Sequence, residues 1–275
     1  MALIVMLAAC GLPGRPGTEP EARVPAAVPE VTSPASACTS PQSGPLRQDT
    51  AFITADGVEV NYSISVPDGY YDDCKTYPVV YVLHGKLDNN ASFMDDALTL
   101  RRAVSEGALT ESIIVTPDSY QTGRWEDLDT GPAEDNFINH LIPHIESSYR
   151  VTQGPAQRLL VGFSMGGHGA IRFALKYPKM FAATWSVDGA MARDSNAYMP
   201  FVDGRKTADF HVISVAGPTN GERVETLIED LRNVGIDIPY TYQDVPHDFG
   251  SFVEADRIAG WPAMSFLQRS LGRIP

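Results

Sequence analysis

The chain has 275 residues, 43% of them hydrophobic, which suffices for one α/β domain of ordinary size and an additional segment. Its 34 acidic residues outnumber its 21 Lys and Arg residues, so the formal net charge at pH 7 is −13. A surface of this sign repels nucleic acid and anionic lipid, and we therefore expect neither as a direct partner.

The first ten residues form a short apolar run that ends in Leu7, Ala8, Ala9 and Cys10. The run is too short to span a bilayer, but it resembles a bacterial lipoprotein signal in which Cys10 is the lipidated residue. The positive charges that normally precede such a run are missing, so an upstream start or an inert segment is the alternative. We expect residues 1–10 to be a lipoprotein-type signal segment. The protein would then be extracytoplasmic, either secreted or lipid-anchored to the outer face of the cytoplasmic membrane.

Residues 11–47 are rich in Pro and Ala and show no apolar periodicity, which predicts a disordered tether before a folded domain at residues 48–275. The chain has three cysteines. If Cys10 is lipidated, Cys38 and Cys74 form an even pair, and an oxidising compartment favours a disulfide between them. Two unpaired thiols are the alternative.

The folded domain begins with alternating apolar and polar residues on both sides of Asp56 and Gly57, which predicts an antiparallel hairpin over residues 50–66. Buried strands of a parallel sheet are predicted by the apolar runs that follow. We predict strands at residues 77–83, 112–116, 159–161, 181–187, 210–216 and 239–243. Helical patterns between them cover residues 134–148, the segment after Ser164, 222–234 and 252–271, with Pro143 and Pro262 as interruptions. This alternation predicts a doubly wound, mostly parallel sheet with helices on both faces and an antiparallel N-terminal hairpin.

The most informative stretch is Gly162-Phe163-Ser164-Met165-Gly166, which stands between an apolar strand and a helical pattern. Small residues on both sides of a serine at a strand-to-helix turn are typical of a nucleophile elbow. The turn exposes the serine at a helix N-terminus, where backbone N–H groups favour developing negative charge. The pattern predicts that Ser164 is a catalytic nucleophile.

A serine hydroxyl needs a base within hydrogen-bond reach and an acid that orients the base. The chain has six histidines. His247 lies in the loop after the last predicted strand, which a sheet of this kind brings beside the elbow, and we predict that it is the base. We interpret the other five as loop, packing or surface residues: His84, His140, His144, His168 and His211.

Three segments resemble the putative-esterase family of α/β hydrolases, which includes esterase D, feruloyl esterases and mycolyltransferases. They are residues 141–150, 162–170 and 247–252, and the likeness extends over about residues 50–271. The resemblance implies an α/β-hydrolase fold, here with a minimal cap because the segment up to Ala208 is short and polar. It also implies Ser164 as nucleophile, His247 as base and the backbone N–H groups of Met165 and Lys86 as the oxyanion hole. No metal or cofactor is implied.

The acid of the predicted triad departs from the family pattern. Many members carry Asp three residues after a Gly that follows the penultimate strand, whereas this chain has Asn220 after Gly217. Mycolyltransferases use a Glu just after a similar turn, so the resemblance makes Glu222 the predicted acid, with Asp188 as the alternative. The aromatic residue after His247 and Asp248 is Phe249, where the family usually has Trp.

These residues predict a secreted serine esterase that hydrolyses carboxylic esters through an acyl-enzyme, with a small-molecule or glycan-linked ester as substrate. An extracellular acyltransferase, which moves the acyl group to a sugar or lipid hydroxyl, has the same chemistry up to the acyl-enzyme and is the first alternative. A non-catalytic cell-surface binding domain with the same fold is the second alternative. A membrane is expected as a partner only through the N-terminal lipid anchor.

Overall fold

A computed structural model describes residues 44–72, 74–120 and 124–273 of the chain. The predicted signal segment, most of the predicted tether, Cys10 and Cys38 lie outside these residues. Cys74 lies within them and is disulfide-bonded. Within the described ranges, no helix has the length and apolar content needed to cross a bilayer.

The strands form one large sheet and one small hairpin. In chain order they are β1 (Arg47–Ile53), β2 (Glu59–Ser65), β3 (Val79–Leu83), β4 (Ile113–Pro117), β5 (Asp127–Leu128), β6 (Gly131–Pro132), β7 (Arg158–Phe163), β8 (Ala183–Val187), β9 (Val212–Ala216) and β10 (Tyr240–Tyr242). The large sheet has eight strands in the order β1-β2-β4-β3-β7-β8-β9-β10, and β5 pairs only with β6. The central position of β7 places the elbow in the middle of the sheet.

Helices lie between the parallel strands, and two more follow the last strand. They are α1 (Asn90–Ala97), α2 (Arg101–Ser105), α3 (Ala133–Asp135), α4 (Ile142–Ser148), α5 (Met165–Lys176), α6 (Gly221–Asn233), α7 (Phe249–Ile258) and α8 (Pro262–Ser270). A 3-10 turn, Leu98–Leu100, joins α1 to α2, and a π-helical stretch, Asn136–Leu141, joins α3 to α4. This chain of elements confirms the predicted α/β-hydrolase fold.

The sheet is antiparallel only at its N-terminal edge. The hairpin pairs Arg47 with Ser65 and Ile53 with Glu59, and β2 then pairs antiparallel with β4. From β4 to β10, every neighbouring pair is parallel. The carboxyl ends of the parallel strands therefore meet at one edge, where this class of fold places its ligand site.

Both faces of the sheet are covered, because successive side chains of each buried strand point to opposite sides. Val80 and Val82 pack with residues of α1, α7 and α8 on one face. Tyr81 and Leu83 pack with α4 and α5 on the other. The near-continuous apolar runs in the central strands are explained by this double burial.

Three elements differ from the sequence prediction. Helices α1 and α2 were not predicted, although Asn89 caps α1 by accepting hydrogen bonds from the N–H groups of Ala91 and Ser92. The predicted helix at residues 134–148 contains the π-helical stretch. The closing helix is divided into α7 and α8 at Pro262, as the sequence predicted, and Trp261 directly before it adopts a left-handed conformation with φ of 62°.

The segment between β8 and β9 is the small cap that the sequence predicted. It contains three 3-10 turns, Ser195–Ala197, Met199–Phe201 and Thr207–Asp209. Its own residues Tyr198 and Met191 are buried and pack with Ile171 and Leu175 of α5, so the segment is packed against the sheet domain.

Candidate active site

The elbow is built by a strained serine and two glycines that have no room for a side chain. Ser164 has φ of 54° and ψ of −112° and stands directly before α5. A Cβ on Gly166 would lie 2.0 Å from the carbonyl oxygen of Leu83, and one on Gly162 would lie 2.0 Å from that of Gly166. Only glycine permits this close passage of strand and helix, and the strain at Ser164 is held by the surrounding hydrogen bonds.

Ser164 and His247 are brought together as the sequence predicted, since the Nε2 atom of His247 lies 3.0 Å from the Oγ atom of Ser164. His247 stands between β10 and α7, and the side chain of the next residue, Asp248, caps α7 by accepting the N–H of Ser251. The imidazole packs 4.7 Å from the ring of Phe163. The position of His247 is therefore fixed by the capped start of α7 and by packing against Phe163.

The other nitrogen of His247 faces Asp188, whose Oδ2 atom lies 2.6 Å from Nδ1. Asp188 is fully buried directly after β8 and has φ of 39°. Its Oδ1 atom accepts hydrogen bonds from the backbone N–H groups of Gly217 at 2.9 Å and Asn220 at 3.2 Å. These donors compensate for the burial of a carboxylate and leave Oδ2 for the imidazole.

The prediction that Glu222 orients His247 is wrong, and the alternative, Asp188, occupies that position. Glu222 lies in the first turn of α6 and is exposed. The Nδ1 atom of His247 points instead to the end of β8, the strand beside the one that carries Ser164. An Asp-Gly pair is ordinary turn chemistry, which is why the sequence favoured a capping role for Asp188.

Asn220, which stands where many family members have Asp, donates two hydrogen bonds to Asp188. Its Nδ2 atom donates to the backbone carbonyl of Asp188 at 2.9 Å, while its N–H donates to the carboxylate. Asn220 is itself buried. An amide is suited to this role because it can donate where a carboxylate could not. The sequence did not indicate this contact.

The loop after β3 passes beside the nucleophile, since a Cβ on Gly85 would lie 3.5 Å from the Cβ atom of Ser164. Buried His84 shapes this loop through its Nδ1 atom, which lies 2.7 Å from the carbonyl oxygen of Gly85, while its Nε2 atom accepts the N–H of Ser119 at 3.2 Å. Burial lowers the pKa of His84 and keeps it neutral. The carbonyl group of the Gly85–Lys86 peptide faces His84. Because the peptide is trans, the N–H group of Lys86 points in the opposite direction.

The oxyanion role of Lys86 and Met165 stays a prediction. Met165 is the first residue of α5, and the N–H groups of a first helical turn have no acceptor within the helix. A donor from each side of Ser164 is the arrangement that stabilises a developing oxyanion.

Three further histidines make other contacts. His144 stacks on Phe52 at 3.9 Å, and His140 lies near Asp135. His168 is buried one helical turn after Ser164. In the part of the chain that the structure describes, no group of three or more His, Cys, Asp or Glu residues is placed to hold a metal ion.

Comparison with known proteins assigns a family to the chain. The family model described as "Putative esterase" matches residues 54–197. Among curated proteins, Esterase Rv1288 of Mycobacterium tuberculosis (strain ATCC 25618 / H37Rv) is 33% identical over 141 residues, which cover 50% of this chain and 30% of that protein. The chain thus corresponds to less than a third of this relative's length.

Solved structures show the same fold. A ferulic acid esterase superposes with a TM-score of 0.70 at 22% identity, covering 82% of this chain and 98% of that one. An S-formylglutathione hydrolase from Staphylococcus aureus superposes with a TM-score of 0.57 at 16% identity, covering 80% and 96% of the two chains. The matching family model, together with an α/β-hydrolase fold, identifies the chain as a member of the putative-esterase family.

Proposed function

We propose that the protein is a serine esterase that hydrolyses carboxylic esters through an acyl-enzyme. The observation that carries the proposal is the unbroken contact from Asp188 through His247 to Ser164, with distances of 2.6 and 3.0 Å. This constellation sits on a strained elbow at the carboxyl edge of the sheet. A non-catalytic binding domain has no need for such an arrangement.

The reaction follows from the atoms in contact. His247 takes the proton of Ser164 through Nε2 while Oγ attacks the ester carbonyl carbon, and Asp188 stabilises the imidazolium through Nδ1. The N–H groups of Lys86 and Met165 stabilise the oxyanion. His247 then returns the proton to the departing alcohol, and a water molecule, activated by the same base, hydrolyses the acyl-enzyme.

The substrate and the location are also proposals. One fold neighbour is a ferulic acid esterase, which favours testing aromatic acyl groups first. The apolar run before Cys10 supports export and a lipid anchor. Water is the proposed acyl acceptor because the segment between β8 and β9 is short, and transfer to another hydroxyl requires exclusion of water.

The test is turnover of p-nitrophenyl acetate, methyl ferulate and a glycan-linked ferulate by purified protein, with Ser164→Ala as the matched control. We expect the wild type to release free acid from at least one ester and the control to release none above background. An acylated sugar or acylglycerol forming faster than free acid would assign acyl transfer. No turnover of any ester by correctly folded protein would contradict the proposal.

A further inference from the structure

A second polar network begins one helical turn after the nucleophile. His168 is 2% exposed, and its Nδ1 atom lies 2.5 Å from the hydroxyl of Tyr198. Its Nε2 atom lies 3.3 Å from a carboxylate oxygen of Glu126. The network therefore joins α5, the loop before β5 and the segment between β8 and β9. None of these three residues contacts the triad side chains through a described hydrogen bond.

The direction of each hydrogen bond in the network follows from burial and from the chemistry of the partners. Burial lowers the pKa of His168, so the ring is neutral and carries one proton. A carboxylate can only accept, which places that proton on Nε2, facing Glu126. The Nδ1 atom is then an acceptor, and the hydroxyl of Tyr198 donates to it.

The hydroxyl oxygen of Tyr198 also accepts a second hydrogen bond. It accepts the backbone N–H of Ala192 at 3.0 Å, and Tyr198 is fully buried, so water does not substitute for it. Residues 188–192, here called the acid loop, begin at Asp188 and end at Ala192. The middle of the acid loop is held by the N–H of Ala190, which donates to the carbonyl oxygen of Ser164 at 2.8 Å.

We propose that His168 is a positioning residue for the reaction: through Tyr198, it holds the end of the acid loop against α5, so that the acid and the nucleophile belong to one rigid unit. This inference rests on the proposed function, because it explains how Asp188 keeps its place. Glu126 fixes the tautomer of His168 and does not itself hold the loop. A rigid support of this kind matters because misplacing a catalytic group by about 1 Å can cost about a hundredfold in rate.

A matched pair of variants distinguishes the roles of the two ring nitrogens of His168. Asn places an amide where Nδ1 stands and can accept from Tyr198, whereas Gln reaches the position of Nε2 and can donate only to Glu126. We expect His168→Gln and Tyr198→Phe each to lower kcat about tenfold or more with KM changed less than about twofold. His168→Asn should recover most of kcat. The double variant His168→Gln/Tyr198→Phe should be no slower than the slower single variant, because both remove one contact.

Rates are referred to active sites titrated with a fluorophosphonate, so that unfolded protein is not counted, and His140→Gln serves as a surface control with unchanged kcat. The proposal is overturned if Tyr198→Phe keeps kcat within about twofold of wild type, or if His168→Asn is as slow as His168→Gln. Failure of the proposed function gives a different result, since wild-type protein would then turn over no ester. If His168→Gln does not fold, Tyr198→Phe decides the question alone.

Discussion

At His247, one buried carboxylate decides which way the imidazole faces. Asp188 accepts two backbone N–H groups on Oδ1 and faces the imidazole with Oδ2, and these contacts compensate its burial. Glu222 is exposed and stands at the start of a helix, where an acidic residue is already favoured by the helix dipole. Neutralising Asp188 should therefore change the reaction rate more than neutralising Glu222.

We expect Asp188→Asn to lower kcat by at least about a hundredfold, and by up to about ten-thousandfold, because the amide cannot stabilise the imidazolium and favours the wrong tautomer. KM should change little, since the acid does not touch substrate. Glu222→Gln is the matched control and should keep kcat within about twofold. Steady-state kinetics on an ester that the wild type hydrolyses provides the comparison. The opposite ranking of the two variants would return the acid to Glu222.

The sequence predicted that Ser164 and His247 meet but named Asp188 only as the alternative partner of His247, and the reason is physical. Ser164 is marked by local spacing, because the close approach of strand and helix demands glycine on both sides. His247 is marked by its place after the last strand. Asp188 follows β8, and only the strand order of the sheet shows that β8 lies beside β7, the strand before Ser164. Nothing in the sequence indicated that the amide of Asn220 would hold Asp188.

Among the secondary-structure elements, buried strands were predictable because apolar runs between turn residues have few other interpretations. Helix α1 was missed even though Asn89 and Ser92 form a capping box. Its central residues are two apolar side chains, Phe93 and Met94, followed by Asp95 and Asp96, so the apolar period is weak. The division between α7 and α8 was predicted from Pro262, which disrupts a helix interior, but the left-handed conformation of Trp261 was not predicted.

The buried carboxylate of Glu134 links α3 to α5, the helix that follows Ser164. Glu134 accepts hydrogen bonds from Arg172, Lys176 and Tyr177 at 2.5 Å each. Burial acts to raise the pKa of Glu134, but the hydrogen bonds from Lys176 and Tyr177 and the charge of Arg172 outweigh it, so the pKa lies below its ordinary value. A carboxyl with a lowered folded-state pKa stabilises the fold above its unfolded-state pKa and loses that contribution as the pH falls through the folded-state value.

We therefore expect Glu134→Gln to lower the free energy of unfolding at pH 7 by about 1.5 to 3 kcal/mol. The difference from wild type should shrink as the pH falls below about 4.5, because the unfolded wild-type chain then binds a proton at Glu134 more readily than the folded protein does. Urea unfolding of both proteins at pH 7 and pH 4 measures it. Asp237→Asn, which breaks an exposed ion pair with Arg232, is the control and should cost less than about 1 kcal/mol at either pH. A Glu134→Gln effect that is the same at both pH values would contradict this account.

On the scale of the whole molecule, Cys74 is disulfide-bonded. We expect Cys38 to be its partner, which closes a loop of about 36 residues and contributes roughly 3 to 4 kcal/mol to stability. Peptide mapping of exported protein, alkylated before reduction, should find neither cysteine modified. A Cys38 peptide that is alkylated without reduction would contradict the pairing.

The proposed function makes the chemistry of the whole molecule depend on one activated serine, Ser164, at the carboxyl end of the central strand β7. Reaction of the native protein with a fluorophosphonate, followed by mass spectrometry of the labelled peptide, tests this claim most directly. We expect a single adduct on Ser164, no adduct in Ser164→Ala, and labelling of Asp188→Asn at least about a hundredfold slower than wild type. An adduct on another serine, or labelling of Asp188→Asn at the wild-type rate, would contradict the triad.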